Sequence, residues 1–218
     1  MSLLLLLICA VGLATFRIQR RPIVLAGLLS MPFCIYEIVF IPEYWSPVQL
    51  GGRLIGLADF LFSFSTGGIA WMCATFCLKE NVRFSCRPRL FFKRFFGGSM
   101  LGVMLSLILW FLGFKIMIAV LLSMLIGFIV LSWRFRRLHN ISLIGALGFA
   151  FSYFAVIKLM FLFSSTFPYY WNHNNLSGYG LWGVPLEEVL WALGFGAIWP
   201  RFIAYVFDAD TVKNRGRP

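Results

Sequence analysis

Four carboxylates interrupt the long apolar stretches of this chain: Glu37, Asp59 and the adjacent pair Glu187 and Glu188. An ionisable group inside a membrane-length apolar run is costly to keep there, so each is a candidate functional residue. Glu37 sits in Phe33-Cys34-Ile35-Tyr36-Glu37-Ile38-Val39-Phe40, near the end of its run. A helix dipole disfavours a negative charge at that position, so Glu37 requires a partner or a proton. Carboxyl groups gathered in a poorly solvated site repel one another and keep a proton that isolated ones release, which is the chemistry of a general acid. Each acid also has a plainer reading. Pro185 ahead of Glu187 and Glu188 is how a helix begins, with proline at the first position and acids near the positive end of the dipole, and Asp59 stands at a run start in the same way.

The depths of these residues agree. Counted along a helix, all four acids fall within roughly 10 Å of one membrane face. Lys158, near the end of its own run, joins that layer, unless it snorkels to the interface. Tyr36, Trp45, Trp171, Trp182 and Trp191 surround it. An interfacial aromatic belt accounts for most such rings, whereas rings facing a cavity would stabilise a carbocation. No metal site is expected: Cys73 and Cys77 share a helical face, but no histidine accompanies them, and His139 and His173 lie in predicted loops without partners. Phosphate loops, dinucleotide fingerprints and Ser-His-Asp patterns are absent from the sequence.

The elements that must position these residues follow from composition. Of 218 residues, 61% are hydrophobic and 12% charged, and the mean hydropathy is +0.87, so the chain is an all-α integral membrane protein. The net charge of +11 does not mark a nucleic-acid binder, because the basic residues punctuate apolar runs instead of forming a stripe. Cys9, Cys34, Cys73, Cys77 and Cys86 are odd in number and mostly within apolar runs, which implies no disulfide framework.

Apolar runs lie near residues 2–16, 22–42, 54–78, 97–114, 116–133, 141–163 and 183–207, and predict about seven transmembrane helices, the first of marginal length. No basic segment precedes the first run, and Arg17, Arg20 and Arg21 follow it, so it reads as an uncleaved anchor with the N-terminus outside. With strict alternation, the Arg17–Arg21 cluster, the Lys79–Arg94 loop, the Arg134–Arg137 cluster and the Lys213–Arg217 tail all face the cytoplasm. Only Arg53 and Lys115 face outward, as the positive-inside rule requires of a multi-pass cell-membrane protein.

Ile41-Pro42-Glu43-Tyr44-Trp45 is echoed by Phe167-Pro168-Tyr169-Tyr170-Trp171, each after an outward helix and before a glycine-containing loop and an acidic helix start. The echo predicts two parallel three-helix repeats joined by a linker helix. The first spans residues 1–80 and the second 116–209, with a basic loop and linker helix at 81–115 and a cytoplasmic tail at 210–218.

Gly183-Val184-Pro185-Leu186-Glu187-Glu188-Val189-Leu190-Trp191 resembles the Pro-x-Glu-Glu motif of the small membrane-embedded lycopene cyclase family, and Tyr170-Trp171-Asn172 through Leu176-Ser177-Gly178 fits the approach to it. The first half is similar through Pro32-Phe33-Cys34-Ile35-Tyr36-Glu37 and Tyr44-Trp45-Ser46-Pro47, but Leu57-Ala58-Asp59 replaces the motif and leaves one carboxylate. The two-unit plan resembles the fused form of these enzymes.

The resemblance implies a cofactor-free, redox-neutral ring closure of an acyclic carotenoid or related isoprenoid in the bilayer. Glu187 or Glu188 would be the general acid, with Glu37 and Asp59 as cation stabilisers or final base, and Tyr36, Trp45, Trp171, Trp182, Trp191 and Lys158 would contact substrate. The residues alone leave open two alternatives, a small proton-coupled transporter and a non-catalytic polyisoprenoid binder. A homo-oligomer is compatible with any of the three.

Overall fold

The computed structural model describes residues 1–47, 55–76, 81–85, 87–135 and 140–212. The expectations placed on Arg53, Cys77, Lys79, Cys86, Arg136, Arg137, His139 and the Lys213–Arg217 tail lie outside the described residues.

The protein is an all-α membrane bundle. Helix α1 (Ser2–Thr15) is apolar but short, and six further helices are long and apolar enough to cross a bilayer. These are α2 (Arg17–Phe40), α3 (Leu57–Thr75), α4 (Pro88–Phe111), α5 (Ile116–Arg134), α6 (Asn140–Phe163) and α7 (Leu186–Val206). Each overlaps one of the apolar runs. Helix α4 begins at Pro88, well before its apolar run, because proline suits a helix start and the basic turns around Arg89, Lys93 and Arg94 continue into the helix. Helix α2 is a composite rod: α-helical over Arg20–Ser30 and Glu37–Phe40, it tightens to 3₁₀ geometry over Met31–Tyr36, where Pro32 supplies no N–H.

Helices α3 and α7 are the most enclosed spans and form the spine. Small residues set their contacts, as expected where lipid supplies no hydrophobic drive between helices. On α3, Gly67 abuts Ser30 and the Ala26 carbonyl of α2, and Gly68 abuts Cys9 of α1. The Ser30 hydroxyl donates across this contact to the Ser63 carbonyl. On α7, Gly196 meets Gly145 of α6 backbone to backbone, and Gly194 abuts Met124 of α5.

Loop contacts fix which helix ends share a side. Trp45, beyond α2, forms an antiparallel bridge with Trp171, beyond α6, supported by Ser46 N–H to Tyr170 O (2.7 Å) and Asn172 N–H to Tyr44 O (2.9 Å). The two echoed sequence segments therefore pair with each other. At the same end, Glu43 accepts from the Trp110 indole at the close of α4 (2.8 Å) and from the Ile116 N–H opening α5 (3.1 Å).

At the opposite end Arg20 donates to the Leu13 carbonyl closing α1 (2.6 Å). There β1 (Asn81–Arg83) pairs antiparallel with β4 (Asp210–Val212). Arg94 of α4 pairs with Asp208 (3.2 Å) and donates to the Tyr205 carbonyl (2.6 Å). Arg201, near the end of α7, is fully buried and donates to the Ser132 and Ser142 hydroxyls, each at 3.1 Å.

Candidate active site

A short hairpin delivers the acidic pair. Strands β2 (Gly180–Leu181) and β3 (Val184–Pro185) are joined by Trp182 and Gly183, both at positive φ (49° and 84°), the backbone of a tight two-residue turn. Pro185 is the N-cap of α7, one residue before the expected first position, and Glu187 and Glu188 occupy the first turn.

The adjacent acids face different surroundings. Glu188, 7% exposed, accepts three hydrogen bonds: from the Tyr44 hydroxyl (3.1 Å) and the Trp171 indole (2.9 Å) on Oε1, and from the Tyr153 hydroxyl (2.9 Å) on Oε2. Tyr44 comes from the first echoed segment, Trp171 from the second and Tyr153 from α6, so three elements converge on one carboxylate. Burial, and next the charge of Glu188, pushes the Tyr44 phenol well above its ordinary range, so it remains a neutral donor. Glu187, 6% exposed, turns aside and accepts from the Ser177 N–H (2.6 Å), tying the preceding loop to the helix start.

A cavity of about 1050 Å³ runs between the two halves of the bundle. Glu188, Glu37 and Asp59 line it at the end where the echoed segments pair. Glu37 lies within Coulombic reach of both Asp59 and Glu188. Asp59 also accepts from the Gly56 N–H (2.7 Å), capping the start of α3, so the helix-start reading holds for it alongside its place in the cavity. Among the described residues no lysine or arginine forms an ion pair with any of the four acids.

Aromatic rings form the walls. Trp191, Phe195 and Trp199, one turn apart on α7, stack in sequence with centroids 5.2 and 5.6 Å apart, and Tyr153 and Phe62 close on Trp191 at 5.1 and 6.2 Å. Tyr36, Trp45, Trp171 and Trp191 all line the cavity, and the Tyr36 hydroxyl is 2.7 Å from that of Ser106 on α4.

Two of the expected contacts lie outside the lining. Lys158 donates to the Trp182 carbonyl (2.9 Å) and packs over Phe161, and the Trp182 side chain is 75% exposed on the hairpin. Sequence reasoning did not single out Tyr153, whose one signal is a hydroxyl in the middle of an apolar span, nor the Glu43 contact that ties α4 to α5.

This arrangement can hold a proton on a carboxyl within a largely apolar, ring-lined space and present negative charge to a cation formed there. Residues 114–206 match the family model described as lycopene cyclase. No curated protein and no solved structure matches the chain. Residues 114–206, which supply α5, α6, α7 and with them Glu188, Tyr153 and Trp171, are thus the part of the chain that is similar to lycopene cyclase.

Proposed function

We propose that the protein closes the ends of an acyclic carotenoid or related isoprenoid into rings, with Glu188 as the general acid. The observation that carries this reading is the Glu188 carboxyl, buried, held by three donors, and sharing one aromatic-lined cavity with Glu37 and Asp59.

The carboxylic acid adds its proton to the terminal carbon–carbon double bond, leaving a carbocation. The neighbouring double bond attacks that cation and forms the ring bond, and a carboxylate then removes a proton to restore a double bond. One proton enters and one leaves, so the product is an isomer of the substrate and no cofactor is consumed. Tyrosine hydroxyls donate or accept with equal ease, so Tyr44 and Tyr153 keep Glu188 hydrogen-bonded in both of its protonation states, whereas the Trp171 indole only donates and anchors the side chain. Glu37, which makes no side-chain hydrogen bond among the described residues, is the base, and Asp59 adds negative charge near the cation while capping α3. Excluding water protects the cation from capture.

Internal duplication supports the same reading. Asp59, Gly68 and Trp71 on α3 repeat the spacing of Glu187, Gly196 and Trp199 on α7, so the first half is a diverged copy that supplies acids to a site built around the second. The basic end of the bundle faces the cytoplasm, which puts the acid end toward the outer face.

The test is expression of the full chain in lycopene-accumulating cells, with pigments resolved by chromatography. The parent forms cyclic products, Glu188→Gln lowers their formation by about 10²- to 10⁴-fold, and Glu187→Gln keeps most of it. Ring formation that persists in Glu188→Gln removes that residue from the chemistry. A folded parent that forms no rings rejects the acyclic carotenoid as substrate.

A further inference from the structure

The cavity does not end at the acids. Its lining continues past Trp199 and Phe202 to Tyr205, and past Gly97 and Gly98 on α4 to Arg94 and Lys93, with Arg134 of α5 at the same end. Along α7 the stretch from Glu188 to Tyr205 is about 26 Å long at 1.5 Å per residue. Among the described residues, the carboxylates in the lining, Glu37, Asp59 and Glu188, belong to the far end, and its cationic side chains, Lys93, Arg94 and Arg134, belong to this one. Arg94 is fixed by Asp208 and the Tyr205 carbonyl, whereas Lys93 and Arg134 are exposed at the mouth. Between the poles, Gly97 and Gly102 leave open space beside α4, and the stacked rings of α7 form the opposing wall.

We propose that Lys93, Arg94 and Arg134 form a subsite for the phosphoryl headgroup of a long-chain ligand whose unsaturated tail lies along the Trp191–Phe195–Trp199 ladder toward Glu188. A cavity with an apolar, aromatic middle and cations confined to one mouth is complementary to an anionic amphiphile. A hydrocarbon tail alone fills the aromatic wall, as in the proposed reaction, and the cations add a site that only an anionic headgroup fills. Only the fate of the tail rests on the cyclase reading, because the headgroup is recognised whether or not a ring forms. Two ligands share this chemistry, an isoprenoid diphosphate and an anionic phospholipid of the bilayer.

The experiment measures binding to the full chain in nanodiscs of zwitterionic lipid, read by quenching of the chamber tryptophans. Geranylgeranyl diphosphate is compared with geranylgeraniol, which has the same chain without charge, and with inorganic pyrophosphate. The diphosphate is expected to bind at least about tenfold tighter than the alcohol, and pyrophosphate more weakly than either, with the diphosphate advantage shrinking as salt rises. In Lys93→Gln/Arg134→Gln that advantage falls to less than about threefold, and Lys93→Arg/Arg134→Lys restores it.

Repeating the titration in nanodiscs containing phosphatidylglycerol separates the two ligands. An advantage that survives in the parent assigns the subsite to the isoprenoid headgroup, and one that phosphatidylglycerol abolishes in the parent assigns it to a bilayer phospholipid. Equal binding of diphosphate and alcohol by the parent overturns the proposal, as does an advantage that the double glutamine variant retains in full. Binding is read without turnover, so neither result depends on whether the protein closes rings.

Discussion

At the scale of single residues, the division between Glu187 and Glu188 organises the site. Neighbours on a helix point about 100° apart, so only one of two adjacent acids can face a given cavity, and the loop N–H of Ser177 takes the other. The three donors on Glu188 position it, and removing one leaves the carboxyl less fixed without deleting the acid. Tyr153→Phe and Trp171→Phe are each expected to lower ring formation by about ten- to a hundredfold, the loss of one charge-assisted hydrogen bond, while the protein still reaches the membrane. Pigment yield normalised to protein in the membrane checks this, and unchanged yield in both variants would mean that Glu188 needs no such support. The sequence marked Glu37, Asp59, Glu187 and Glu188 because ionisable groups are rare in apolar runs. It did not mark Tyr153, because a single hydroxyl within an apolar span has no local partner to point to, and it did not choose between the paired glutamates, because the direction of the cavity is a tertiary property.

At the scale of elements, small residues decide how the helices meet. Gly145 and Gly196 bring the backbones of α6 and α7 together, and a Cβ at either would overlap the carbonyl of the other. This contact sets the separation between Tyr153 and Glu188, which sit on the same two helices. Gly196→Leu is therefore expected to destabilise the folded protein by about 3 kcal/mol or more and to lower its thermal midpoint in detergent, whereas Gly102→Leu, facing open space, leaves the midpoint nearly unchanged. Equal midpoints would show that the α6–α7 approach is not tight. The helices themselves were legible, since each described span overlaps its apolar run. The early start of α4 was less so, because basic residues read as loop when their arginine and lysine stems extend a helix into the interface. The 3₁₀ stretch in α2 follows from Pro32, whose consequence for helix geometry depends on neighbouring turns.

At the scale of the molecule, the two halves meet through the echoed segments and share one cavity, so the acids of the first half and Glu188 of the second line the same space. The echo was visible in sequence; the pairing of its two copies was not, because hydrogen bonding between distant loops leaves no local pattern. Charge separates the ends of the bundle, and the positive-inside rule predicts that the basic end faces the cytoplasm. Tyr179→Cys, exposed at the acid end, is expected to react with an impermeant thiol reagent added outside intact cells, and Arg89→Cys only after the membrane is opened, both in a cysteine-free background. The reverse pattern would invert the molecule. The most direct test of the central claim is to run the reaction in heavy water and weigh the product. Proton-initiated ring closure through Glu188 predicts an isomer of the substrate carrying one deuteron per ring, at the carbon of the former terminal double bond, and no such product from Glu188→Gln. A cyclic product without deuterium, or one differing from the substrate by two hydrogens, would contradict it.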